Sequence, residues 1–119
     1  MRTYLAIFTC AENSEAHQKW MKLGSHEQAE CMRLGEAAKH DWELKYKDRI
    51  VFDGGPVSEK THKVDNSGVR EVPSQLGAFM VVRAESAAEA AQMFVKHPHF
   101  ANFPGDAVEI LERLPTPRG

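Results

Sequence analysis

The stretch LGAFMVVRAESAAEAAQMFVKHPHF, Leu76–Phe100, changes its period once along its length. Leu76 to Ala84 is a continuous apolar run with β-branched and aromatic members, which predicts a buried strand. Ser86 and Glu89 then stand three apart, the spacing of a capping box. They open an alanine-rich helix from Ala87 to about Lys96, with Ala90, Met93 and Phe94 on its inner face. Pro98 has no amide hydrogen and pushes His97 out of the helical region, so the helix stops there. A strong strand thus runs into a helix that must lie back on it.

Upstream, Thr3 to Thr9 (TYLAIFT) predicts another buried strand. A short helical piece follows within residues 11–24, with Gly24 as a left-handed cap. Ser25 and Gln28 suggest a capping box for a helix of about 20 residues. Its apolar face comprises Cys31, Leu34, Ala38, Trp42 and Tyr46, opposite Glu30, Arg33, Lys39 and Glu43. Gly35 inside this helix either admits a close neighbour or has no role. Ile50 to Phe52 predicts a strand, ended by the turn-like Asp53-Gly54-Gly55-Pro56. Residues 57–74 are polar and form either a hairpin centred on Asp65–Gly68 or a mobile loop. Ala107 to Leu114 alternates and predicts the last strand, before a loose tail at 115–119.

The order strand, helix, strand, optional hairpin, strand, helix, strand fits a ferredoxin-like β-α-β-β-α-β fold of class α+β. It would occupy residues 1–119 as one domain, with two helices on one face of a four-stranded antiparallel sheet. Leu5, Ile7, Val51, Phe79, Val81, Val108 and Ile110 are too many to serve one face. A second copy is the natural cover for the other, so a homodimer through the sheet face is expected.

Composition excludes several classes. With 42% hydrophobic and 27% charged residues the chain is ordinary globular material, and its net charge of -2 offers no basic stripe for nucleic acid. No apolar run approaches the ~20 residues of a membrane span. The N-terminus does not read as a signal peptide, which points to the cytoplasm and to Cys10 and Cys31 as free thiols.

The order and spacing of several motifs resemble the YCII-related (YciI-like, DGPF) family. They are Gly54-Gly55-Pro56, Gly77, Ala84-Glu85-Ser86, His97-Pro98-His99 and Val108-Glu109, together with the helix that carries Trp42. The resemblance implies a dimeric α+β barrel that takes a small molecule. Relatives with a histidine–acid pair carry the acid before the proline, where this chain has His97. Their helix histidine falls near Ala37, with His40 one turn later, so that pair does not carry over. A tryptophan-bearing subgroup has histidine after the proline, as His99 is here.

Of the candidate chemistries, proton transfer centres on His99, with Glu109 or Asp53 to orient it. The pocket would be lined by Phe8, Trp42, Phe52, Gly54, Gly55, Phe79 and His97. The plain reading of His97 is an imidazolium at a helix C-terminus. Trp20 and Trp42 read first as core or interface groups. Asp53–Pro56 lacks the context of a phosphate loop. Neither a metal nor an organic cofactor is expected. The competing readings are a cofactor-independent acid/base enzyme and a non-catalytic ligand-binding or protein-interaction module.

Overall fold

A computed structural model describes residues 1–116 of the chain. Among these residues it forms six strands and four helices. Strands β1 (Arg2–Thr9), β2 (Ile50–Pro56), β5 (Leu76–Ala84) and β6 (Ala107–Glu112) make one antiparallel sheet in the order β2-β5-β1-β6. Strands β3 (Lys60–Asp65) and β4 (Gly68–Pro73) pair only with each other. The helices are α1 (Glu15–Met21), α2 (Ser25–Lys45), α3 (Ala87–Gln92) and α4 (Pro98–Ala101). Of the expected tail, residues 117–119 lie outside the described residues.

The core follows from strand alternation. Tyr4, Ala6 and Phe8 of β1 and Met80, Val82 and Ala84 of β5 point to one side, where Trp42, Ala90, Met93 and Phe94 cover them. Ile50, Val108 and Ile110 pack onto the same cluster. Of the seven apolar strand residues too many for one face, Val108 and Ile110 thus belong with the helices. Leu5, Ile7, Phe79 and Val81 point away, only partly covered. Phe52 and Leu111 join them, placed by their pairing with Val81 and Leu5.

Four local expectations are corrected. Gly24 is no left-handed cap: with φ -71° and ψ 163° it is the extended N-cap of α2. Its N–H donates to Glu27 Oε1 at 3.3 Å, so Gly24 and Glu27 take the parts expected of Ser25 and Gln28. Leu34 is exposed, and Gly35 occupies the inward position, where a Cβ would stand 2.6 Å from Phe103 Cζ. The Asp53–Pro56 segment does not turn. It continues β2 with one register shift, between Asp53 and Gly55, and only Gly55, at φ 75°, takes a left-handed conformation. Finally, α3 ends at Gln92, four residues early, after a sound start. Ser86 Oγ accepts from Glu89 N–H at 3.1 Å, and Glu89 pairs with Arg49 at the head of β2.

Residues 60–73 take the hairpin form, turning at Asn66–Ser67, where Asp65 Oδ1 accepts from Ser67 N–H at 2.8 Å. Cys10 and Cys31 are free thiols. No helix among the described residues is long and apolar enough to cross a membrane.

Candidate functional site

The chain after α3 does not simply stop at Pro98. Proline is well suited to the first position of a helix, where its missing N–H is not needed. His97 is accordingly the N-cap of α4, with φ -64° and ψ 141°. Its Nδ1 accepts from His99 N–H at 3.0 Å. A ring nitrogen that accepts carries no proton, so in the neutral ring the hydrogen sits on Nε2. That Nε2 is buried and has no hydrogen-bond partner among the described residues. Leaving a buried donor unmet costs about 1–3 kcal/mol.

The His97 ring is 4% exposed and enclosed by aromatic groups. The centroid of Trp42 lies 4.7 Å away and edge-on, with Phe8 at 5.0 Å and Phe94 at 5.9 Å. Trp42 is itself fixed, since its Nε1–H donates to Met93 O at 2.8 Å. Burial depresses the His97 pKa, the His99 and Lys39 charges depress it further, and Asp53 opposes them; the result is about 4. At neutral pH His97 is therefore uncharged. This overturns the reading of it as an imidazolium at a helix C-terminus.

His99 is 6% exposed and differently placed. Its Nε2 lies 3.0 Å from Thr9 O and 3.1 Å from Ala107 O. Carbonyls only accept, so one Nε2–H is shared between them and the tautomer is set. The ring lies flat on Gly105, where a Cβ would stand 2.0 Å from Cε1. Burial lowers the His99 pKa, while the two carbonyls and Asp106 pull the other way. His99 thus clamps the end of β1 to the start of β6. Asp106 reinforces the junction by accepting from Thr9 Oγ1–H at 2.8 Å and Ala11 N–H at 3.1 Å.

Neither Glu109 nor Asp53, the carboxylates expected to orient His99, does so; the acid whose charge acts on it is Asp106. Glu109 is exposed and paired with Ile7, on the side away from the helices. Asp53 pairs with Met80 on β2, and its charge acts on His97 instead. The expected lining divides in two. Phe8, Trp42 and His97 meet on the helix side. Phe52, Gly54 and Phe79 meet on the other, where the two rings stand 6.1 Å apart and Phe79 lies over Gly54. Gly55 has open space around it. His40 and His62 are exposed.

Phe94 also walls an open groove of about 350 Å³, with Ala91, Val95, Phe100, Val108 and Ile110. All six are apolar, and the groove runs beside the aromatic cluster that holds His97. Among the described residues, no three His, Cys, Asp or Glu side chains come together as a metal site would need.

Sequence reasoning missed the N-cap role of His97, the part of Gly105 and the proximity of Lys39. The first had a usable signal, because a polar residue before proline is a helix start as readily as a helix stop. No family model matches the chain, and no curated protein matches it.

Proposed function

We propose that this chain is a small-molecule-binding homodimer, and that its ligand presents an oxygen to His97. The observation that carries the reading is the buried, unpartnered Nε2–H of His97. A neutral imidazole donor in an apolar surround is suited to a carbonyl oxygen. It is shut off from bulk solvent, and a satisfied donor recovers the cost of its burial. The aromatic walls favour an apolar ligand body, and Phe94 joins them to the neighbouring open apolar groove. Lys39 is paired with Glu43 at 3.3 Å, and the Asp53 charge opposes that of Lys39 at the ring, so the surroundings are near neutral overall. That balance favours an uncharged carbonyl compound over a carboxylate.

The site moves from His99 to His97 because the ring hydrogen of His99 is already committed to two carbonyls. The same fact favours the non-catalytic binding reading over acid/base chemistry at His99. If a reaction occurs, its form is polarisation of a carbonyl by neutral His97, acting as a donor rather than a base.

The architecture we propose is ferredoxin-like, of the dimeric α+β barrel kind, in a relative of the YCII-related proteins. Its supports are the sheet order β2-β5-β1-β6, the single helix-covered face and the motif order from Gly54 to Glu109.

The test is a thermal-shift screen of small aldehydes, ketones, esters, lactones and amides, repeated on His97→Phe. A compound that raises the melting temperature of the native chain and not of the variant is expected. A hit that shifts both equally would remove His97 from the site.

A further inference from the structure

The β3–β4 hairpin is not absorbed by this reading. Apart from Thr61 and Val72, every residue from Lys60 to Pro73 is exposed. The hairpin pairs with no strand of the main sheet. A lone two-stranded hairpin is at best marginally stable in water. Near its tip Val64 and Val69 face each other across the strands, 72% and 67% exposed. A single exposed cross-strand pair contributes at most about 1 kcal/mol, so a surface to lie on would add most of the hairpin's stability.

The whole chain shows the same shortfall. Its radius of gyration is 16.1 Å, against about 13.5 Å for a compact chain of this length. Its accessible surface is 8523 Å², where a compact monomer of 13.4 kDa would expose about 6,500 Å². The excess, about 2,000 Å² per chain, is well above the ~800 Å² per partner of a standard interface and suits an obligate dimer. On the sheet face away from the helices, Phe52 and Leu111 are 57% and 47% exposed at the two edges.

We infer that the β3–β4 hairpin is an arm that grips a second copy of this chain. Its Val64–Val69 tip packs on the apolar rim of the partner's uncovered sheet face. A two-fold axis makes the exchange reciprocal, so each copy supplies one arm and receives one. A second copy is the occupant because hairpin and open face occur once in every chain, and the missing area matches a dimer. The inference rests on the homodimer reading above and adds the arm to it.

Sedimentation equilibrium of the native chain and of the double variant Val64→Asp, Val69→Asp tests it. The substitutions lie on an exposed tip and touch no core residue of their own chain, so a fall in melting temperature would follow the loss of the dimer and depend on protein concentration. The expected result is a native dimer whose dissociation constant rises about 100-fold or more in the variant, as two buried valines become charged. A variant that dimerises like the native chain overturns the arm and leaves the homodimer standing. A native chain that sediments as a monomer overturns both. Hydrogen exchange of the native chain supplies a second readout that needs no variant. The amides of residues 61–72 should be protected in the dimer and exchange faster on dilution. Fast exchange at every concentration, in a chain that is dimeric, also overturns the arm.

Discussion

His97 and His99 are two residues apart, alike in burial and unlike in what burial leaves them. His99 spends its ring hydrogen on Thr9 and Ala107, whereas His97 accepts at one nitrogen and has no acceptor at the other among the described residues. The His97 pKa falls from 6.5 to about 4, chiefly by burial. A base with a depressed folded-state value takes up its proton on unfolding. The unfolded chain is therefore favoured as pH falls from about 6.5 towards 4, and the stability is whole above that window. On the order of 3 kcal/mol is lost across it from His97 alone, and His99, shifted the same way, adds to the loss. His97→Asn keeps an N-cap acceptor and cannot titrate, so urea midpoints measured from pH 7 to 4.5 should fall less steeply in the variant. Equal slopes would show that His97 is not buried neutral. Gly105→Ala should cost about 2 kcal/mol or more, because its Cβ would enter the His99 ring and the clamp would have to shift. The two histidines were legible in the sequence as a marked spot, but the N-cap place of His97 and the two carbonyls at His99 were not. What separates them is which backbone carbonyls lie within reach, and that is decided by β1 and β6, some 90 and 8 residues away.

At the scale of elements, α2 shows how a tertiary contact overrides local preference. Alanine in place of Gly35 would gain about 1 kcal/mol in an isolated helix. Here its Cβ would stand 2.6 Å from Phe103 Cζ and 2.8 Å from Asn102 Cβ, and the latter cannot yield without moving the loop before β6. Gly35→Ala should therefore lower stability by about 1–2 kcal/mol, read as a lower denaturant midpoint at unchanged m-value. A stabilised variant would place that loop elsewhere. Ser86→Ala should cost about 1 kcal/mol by removing the acceptor for Glu89 N–H. Thermal melts of the variant check it, and an unchanged transition would contradict the cap. The strands of the main sheet and the start of α3 were readable because period and capping spacing are local properties. The Asp53–Pro56 segment was not, because its glycines read as a turn. In fact one of them makes room for the Phe79 ring and lets β2 continue. Leu34 was misassigned for a similar reason: spacing alone cannot tell which of two adjacent helix positions meets the loop.

At the scale of the molecule, the proposed homodimer would account for both the half-clad sheet and the unsupported hairpin. The alternation of β1 and β5 divides apolar side chains between two faces, and the helices cover one. Sequence patterning exposed that imbalance, since more apolar strand residues are present than one face can use. It gave no sign of the hairpin's separateness, because pairing within 60–73 looks the same whether or not the pair joins a larger sheet. The most direct measurement is the mass of the native chain by sedimentation equilibrium at micromolar concentration. The account predicts a species of twice the 13.4 kDa chain mass that dissociates only on strong dilution; a stable 13.4 kDa monomer would contradict it.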